Sequence, residues 1–298
     1  MPERYIKSTL HMLKKLIHLF LGLCLSAVAF SQSANQSIAD TATPYGDNPA
    51  AGRYYSVRGI KIYAEEYGTG MPLLMIHGNG GSGKAFGKIV PYFAKNYRVI
   101  IADSRAQGKS VDTGDSLSFE MIADDEAALL DEMHIDSAYV LGASDGGIVA
   151  LVLAMRHPGK VVKLAETGAD LVPDSTSIAV VHSSWLKEKE FYDENINRTL
   201  TTEEEKNHWK VKMLDWRQPN IPFSALEAIK CPSLIISGDH DMFNVEHAVQ
   251  IYHHIHRAYL WVVPNSGHGT MHEHTDDFIK MTDNFFNEPF KDRKNYIL

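Results

Sequence analysis

Three side chains, far apart in the chain but in a telling order, could together break an acyl bond. The first is Ser144, in Gly142-Ala143-Ser144-Asp145-Gly146. The apolar run "YVLGA" precedes it and "GIVALVLAM" follows. That context reads as strand, sharp turn and helix, with small residues lifting the hydroxyl clear of the sheet at a helix N-terminus. A serine hydroxyl is a weak nucleophile, so it needs a base, and the base needs an acid to orient it.

Both follow in the order Ser, acid, His. "CPSLIISGDHDMF" reads as a strand ending in Gly238-Asp239-His240-Asp241, and "LWVVPNSGHG" as a strand ending in a loop with His268. Asp239 and Asp241 compete for the acid role. Asp241 is preferred, because it lies further past the strand end and can reach across to His268; Asp239 then supports the turn. His268 stands out among 15 histidines because glycines flank it in a loop that follows a strand. The remaining histidines, including His253, His254 and His256, lack the regular Cys or carboxylate spacing of a metal site, so no metal and no cofactor is expected.

Acyl transfer also needs two fixed N–H donors for the oxyanion, each worth ~3 kcal/mol. The expected donors are the backbone N–H of Asp145, next to the nucleophile, and that of Asn79 in "HGNGGSGKAFG". The same stretch also spells a phosphate loop, Gly78-x-x-x-x-Gly83-Lys84. Ala85 stands where a magnesium-binding Ser or Thr belongs, which argues against nucleotide binding. Non-catalytic binding on a hydrolase scaffold is a third possibility, and the full set of Ser144, Asp241 and His268 argues against it.

The elements that must position these residues are visible in the hydrophobic pattern. "YYSVRGIKIYAEEYG" reads as a hairpin broken at Arg58-Gly59. Then "PLLMIH", "YRVIIAD", "AYVLGA", "VVKLAET", "PSLIISGD" and "AYLWVVP" read as strands buried on both faces of a parallel sheet. Between them, "KAFGKIVPYFAKN", "FEMIADDEAALLDEMH", "GIVALVLAMRHP" and "VEHAVQIYHHIH" read as helices, and "HEHTDDFIKMTDNFFN" closes the chain as another. The alternation predicts a doubly wound α/β fold.

Residues 172–221 break this rhythm with no strand. They are expected to form a helical insert, or lid, after the sixth strand. Trp209, Met213 and Trp216 share helical spacing there, with Trp185 upstream. Such a face packs the insert's own core or covers a substrate pocket, and both readings stay open. "SALE", Ser224–Glu227, reads as a capping box opening the next helix.

At the N-terminus, Lys14-Lys15 precedes the apolar "LIHLFLGLCLSAVAFS". Residues 1–31 are therefore expected to be a secretory signal, cleaved near Ser31–Gln32, with an N-terminal membrane anchor as the alternative. Residues 32–52 are polar and turn-rich and are assigned to a flexible leader; the core then spans 53–171 and 222–298. The expected product is periplasmic or secreted, with no stable membrane insertion after cleavage. Removing residues 1–31 takes away four basic and one acidic residue, leaving 25 basic and 36 acidic, a net −11. That charge argues against nucleic acid as a partner. Only Cys231 remains, so no disulfide can form within the mature chain.

The ordered set His77-Gly78, Asp103-x-Arg105-x-x-Gly108-x-Ser110, the Ser144 turn, Gly238-x-x-Asp241 and Gly267-His268 resembles the α/β-hydrolase superfamily across residues 54–287. "GASDGG", "TGADL" and "CPSLIISG" are similar to its biphenyl-hydrolase-like (valacyclovir hydrolase) group. One departure is Ala106, where the family usually has glycine. The resemblance implies an α/β-hydrolase fold, a small-molecule ester or lactone as substrate, and an aminoacyl ester as a further candidate. In that last case the Asp145 carboxylate would pair with a cationic α-amino group; otherwise it bonds nearby backbone or loop donors.

Overall fold

The computed structural model describes residues 43–172 and 183–292; of residues 183–188 only the backbone is described. The chain divides into two compact units, 1–43 and 44–298, and the first lies almost wholly outside the described residues. The signal reading of residues 1–31 and most of the leader therefore fall outside them too. No helix among the described residues is long and apolar enough to cross a membrane.

The second unit is built on one eight-stranded sheet of order β1-β2-β4-β3-β5-β6-β7-β8. Strands β1 (Gly52–Val57) and β2 (Ile60–Tyr67) form an antiparallel hairpin. Its two-residue turn has Arg58 at φ 44° and Gly59 at φ 86°, the twist that suits a tight hairpin. β2 then pairs antiparallel with β4 (Tyr97–Ala102). The remaining pairs are parallel and join β3 (Met71–Ile76), β4, β5 (Ala138–Ala143), β6 (Val161–Thr167), β7 (Ser233–Gly238) and β8 (Ala258–Val263). This is the doubly wound α/β arrangement expected from the alternation.

Burial follows the two-residue period of the strands. Leu74, Ile76, Ile100 and Val140 face one core, and Leu73, Met75, Val99, Ile101 and Leu141 face the other. The first core is closed by α2 (Phe119–Glu132), α3 (Asp145–Arg156) and α6 (Val245–His254), through residues such as Ile122, Leu151 and Ile251. The second is closed by α1 (Val90–Phe93) and α7 (Thr275–Asn287), through Phe93, Phe278 and Phe286. Each such fully buried side chain contributes ~1.5–3 kcal/mol. Because the central strands run parallel, their carboxyl ends gather on one edge, and the loops after β3, β5, β6, β7 and β8 meet there.

Three local expectations need correction. "KAFGKIVPYFAKN" is not one helix but a 3₁₀ turn, Gly83–Phe86, and the single turn α1. Gly87 and Pro91 divide it. "SALE" does not cap a helix; Phe223–Ala228 is a 3₁₀ turn with Pro222 at its N-cap and no side-chain cap bond. The capping box lies instead at α5 (Glu203–Arg217), where Thr202 Oγ1 accepts the Glu205 N–H and Glu205 Oε2 accepts the Thr202 N–H.

The third concerns the leader, whose last part is anchored. Buried Glu65 accepts the N–H groups of Gly46 (2.6 Å) and Asn48 (2.7 Å) and the hydroxyls of Tyr63 and Tyr67 (both 2.7 Å). Polarity alone concealed this, because the acceptor sits in the next hairpin. Glu65→Ala strands four donors, each costing ~1–3 kcal/mol if left unpaired. It is expected to lower the unfolding free energy in urea by several kcal/mol; a loss below about 1 kcal/mol would mean water replaces the carboxylate.

Candidate active site

Ser144 occupies the turn between β5 and α3 at φ 56°, ψ −124°. Few non-glycine residues hold such a backbone, and the strain persists only where the surroundings impose it. Here they do. A methyl group on Gly142 would lie 2.1 Å from Gly146 O, and one on Gly146 would lie 1.9 Å from Ile76 O. Only glycine at both positions lets the turn close against β3. The Ser144 N–H is fixed by Thr167 O at 2.8 Å, and its carbonyl accepts the Gly147 N–H at 2.7 Å as α3 begins.

The structure brings the three separated residues together. His268 Nε2 lies 3.0 Å from Ser144 Oγ, and His268 Nδ1 lies 2.8 Å from Asp241 Oδ1. The Asp241 side chain is 1% exposed, while that of His268 is 30% exposed. Water therefore reaches the imidazole but not its carboxylate partner. Asp241 Oδ1 also accepts the Phe243 N–H at 3.3 Å, and the Phe243 ring meets the imidazole edge-on at 5.4 Å. Asp239 points elsewhere. It accepts from Ser266 N–H and contacts the His240 ring, which together with backbone N–H groups hold its carboxyl down at about 2. It ties the β7 loop to the β8 loop.

Gly78 packs directly on the serine; a methyl there would come within 3.0 Å of Ser144 Cβ. That contact brings the loop after β3 against the Ser144 turn, and Asn79 follows Gly78 directly in that loop. A set of polar pins holds the loop. Buried His77 donates from Nδ1 to Gly78 O (2.8 Å) and accepts the Ser104 N–H on Nε2 (3.0 Å). Burial drives its pKa down, so the ring stays neutral and can do both. Gly80 N–H goes to Gln107 Oε1 (2.7 Å) and Gly83 N–H to Asp103 Oδ1 (2.8 Å). Gly81 N–H goes to Gly78 O, and Lys84 pairs with Asp47 at the surface. The N–H groups of Gly80, Gly81 and Gly83, which a phosphate loop would turn towards its ligand, are thus committed inside the protein. Ala106, the departure from the family pattern, adopts φ 65° just before Gln107, a conformation that favours glycine.

The side chain of Asn79 has its own task. Its Nδ2 donates to Asp145 Oδ2 (2.9 Å) and to the Val211 carbonyl on α5 (3.0 Å). Asp145, 5% exposed, thus bonds a loop donor, the second of the two arrangements its sequence allowed. The insert comprises α4 (Ser183–Asn195) and α5. Tyr192 stacks on both Trp209 (6.1 Å, 18°) and Trp216 (5.6 Å, 19°), so these half-buried rings pack on one another across the two helices of the insert. Met213 is buried, and the side chain of Trp185 lies outside the described residues.

A buried charge network fastens α5 to the core. Arg105 grips Asp125 with two bonds (2.5 and 2.9 Å) and reaches Asp112 Oδ1 (2.9 Å). Lys210 of α5 takes Asp112 Oδ2 (2.5 Å), and Asn207 exchanges bonds with the Asp112 backbone. Sequence gave no sign of Lys210, because a lysine on a polar helix reads as solvated. Lys210→Met leaves one oxygen of a buried carboxylate without its cation and is expected to cost about 3 kcal/mol in urea unfolding. Loss of less than about 0.5 kcal/mol would show that the pair behaves as a surface ion pair.

Set beside known proteins, residues 71–209 match the family profile for the alpha/beta hydrolase fold. The sheet order and the profile together decide the matter. The chain has the α/β-hydrolase fold. Its relatives are hydrolases. One is the 2-hydroxymuconate semialdehyde hydrolase of Pseudomonas sp. (strain CF600), 35% identical over 127 residues, 41% of this chain and 45% of that one. The chain thus spans about half the length of that relative. Another is the human serine hydrolase BPHL, 26% identical over 248 residues, 77% of this chain and 84% of that one. Among solved structures, a meta-cleavage product hydrolase from Pseudomonas fluorescens IP01 superposes with TM-score 0.64 at 21% identity, covering 80% of this chain and 99% of that one. Similarity to the biphenyl-hydrolase-like group, expected from "GASDGG", is therefore found in the relatives as well.

Proposed function

We propose that this α/β hydrolase cleaves a small carboxylic ester by way of an acyl-enzyme on Ser144. The observation that carries the reading is the unbroken chain of hydrogen bonds from Ser144 Oγ through His268 to Asp241. Ser144 Oγ attacks the ester carbonyl as its proton passes to His268 Nε2. The negative charge that develops on the carbonyl oxygen is met by the N–H groups of Asn79 and Asp145. Asp241 holds the imidazole in the tautomer that keeps Nε2 free to accept, and stabilises the imidazolium that forms. That imidazolium returns the proton to the leaving alkoxide, and the alcohol departs. Water, deprotonated by the same His268 nitrogen, then releases the acid and restores Ser144.

A second reading rests on the Pseudomonas relative, which is a semialdehyde hydrolase. The same relay could hydrolyse a carbon–carbon bond next to a ketone. Lactones and aminoacyl esters are further candidates on the same machinery. The bonding of Asp145 to Asn79 favours a neutral acyl group over a cationic one, since the carboxylate already has a donor. A panel of short-chain p-nitrophenyl esters, lactones, aminoacyl esters and a 2-hydroxymuconate semialdehyde tests these readings. Turnover of a short ester that is lost in Ser144→Ala supports the proposal. Turnover confined to the semialdehyde, or none at all, overturns the ester assignment.

Export belongs to the same proposal. Residues 1–31 would act as a cleaved signal, delivering a periplasmic or secreted enzyme, with a membrane anchor as the alternative. N-terminal sequencing of the product from its native cell checks it. An N-terminus near Gln32 in the exported fraction is the expected result, and an intact N-terminus in the membrane fraction would favour the anchor.

A further inference from the structure

The turn that follows β6 touches both working residues of the site, and one buried acid shapes it. Thr167 O holds the Ser144 N–H at 2.8 Å. Gly168, at φ 69°, lies against the imidazole: a methyl there would be 2.8 Å from His268 Cε1 and 3.6 Å from Asp241 Oδ2. Only a residue without a side chain fits between the turn and the ring. Glu166 closes this turn, its Oε2 accepting the Ala169 N–H at 3.0 Å. The same carboxyl fills the space left by Gly147 in the first turn of α3, where a methyl would come within 3.2 Å of Oε2. Glu166 is 1% exposed.

We propose that Glu166 is a positioning residue, a buried carboxyl that sets the turn on which Ser144 and His268 both rest. The inference builds on the proposed roles of Ser144 and His268. Among the described residues no cation pairs with Glu166; Asp241 is the charged group whose field reaches it, and it repels a second negative charge. His268 on the β8 loop faces the same turn across Gly168, and Asp170 follows the turn in sequence. Burial, reinforced by Asp241, raises the Glu166 carboxyl from the usual carboxylate range to about 8, against the opposing pull of the Ala169 N–H. The group is therefore protonated at neutral pH. Above pH 8 it ionises beside Asp241, and the turn must then accommodate a second charge.

This separates two roles that a simple deletion would confuse. Glu166→Gln keeps the shape and the acceptor for the Ala169 N–H but cannot ionise. Glu166→Ala removes both the acceptor and the filling of Gly147. Three readouts are used: the rate of Ser144 modification by a fluorophosphonate, kcat and KM on the preferred substrate, and the infrared carbonyl band of a protonated carboxylic acid at pH 7.

The wild-type labelling rate should decline above pH 8; in Glu166→Gln the pH 7 rate should hold within a few-fold, that decline should weaken, and the acid band should drop in the difference spectrum. In Glu166→Ala, kcat and the labelling rate should fall by ~10–100-fold with KM little changed, as expected for a misplaced reacting group. That loss should persist well below the variant's melting temperature. The proposal is overturned if Gln loses as much as Ala, if Ala keeps wild-type kcat once folded, or if the band is unchanged in Gln. Failure of the wild type to label at all would instead overturn the serine-hydrolase reading; the infrared band reports on Glu166 independently of it.

Discussion

Ser144→Ala is expected to lower kcat by about a million-fold, down to the residual rate that binding and the oxyanion donors supply alone. The size follows from the geometry. Ser144 Oγ is the atom to which the His268 base is directed, at 3.0 Å, and no other hydroxyl is described on that nitrogen. Alanine removes the hydroxyl proposed as nucleophile but not the backbone N–H groups of Asn79 and Asp145 proposed to meet the oxyanion. KM should therefore change little. Melting temperature should also hold, because Thr167 O and the Gly147 N–H fix the turn through the backbone of residue 144 rather than its side chain. Steady-state kinetics with a thermal melt checks both. A fall in kcat of less than a hundred-fold would assign the nucleophile elsewhere.

Asp241→Asn carries the second-largest effect, a fall in kcat of about ten-thousand-fold, of the kind seen when the orienting carboxylate of such a relay becomes an amide. An amide facing His268 Nδ1 can donate where the carboxylate could only accept. The ring then turns to the tautomer whose proton sits on Nε2, and it can no longer take the serine's proton. Asp241 is buried, so water cannot restore the acceptor. Asp239→Asn is the paired control. Asp239 caps Ser266 and touches His240, without a described bond to His268, so its loss should cost stability more than rate. Kinetics of the two variants side by side decides between the aspartates. Equal losses would mean that the β7 loop as a whole, rather than one carboxylate, orients the base.

The two aspartates also mark where sequence reading stopped. Strand runs such as "PLLMIH" were legible because burial on both faces leaves an uninterrupted apolar signature. The Ser144 turn was legible because its glycines answer to a steric demand, the approach of Gly146 to the Ile76 carbonyl. The order of Ser144, Asp241 and His268 was legible because strand ends in a parallel sheet face one edge. The pairing of Asp241 rather than Asp239 with His268 rested on loop reach, an argument that spacing supports but does not complete.

What escaped notice depends on contacts between distant segments. Glu166 is hidden in "VVKLAET", where a glutamate at a strand end reads as solvent-facing; its burial arises from α3 and the turn packed over it. Glu65 anchors a segment nineteen residues earlier that composition alone calls loose. Lys210 becomes a buried cation only because Asp112 meets α5 from the core. The helix expected over "KAFGKIVPYFAKN" broke down for a local reason, Gly87 and Pro91, that was visible but outweighed by the apolar periodicity. Trp209 and Trp216 had helical spacing that fitted a pocket wall as well as an internal core, and Tyr192, the ring they both stack on, lies on the other helix of the insert.

The most direct test of Ser144 as nucleophile is covalent. The folded protein is treated with a fluorophosphonate at pH 7.5, digested, and the adduct located by tandem mass spectrometry. A single adduct on Ser144, formed at a rate that collapses in Asp241→Asn and absent from Ser144→Ala, is the predicted result. Labelling of another residue, or labelling of Ser144→Ala at the wild-type rate, would contradict the account.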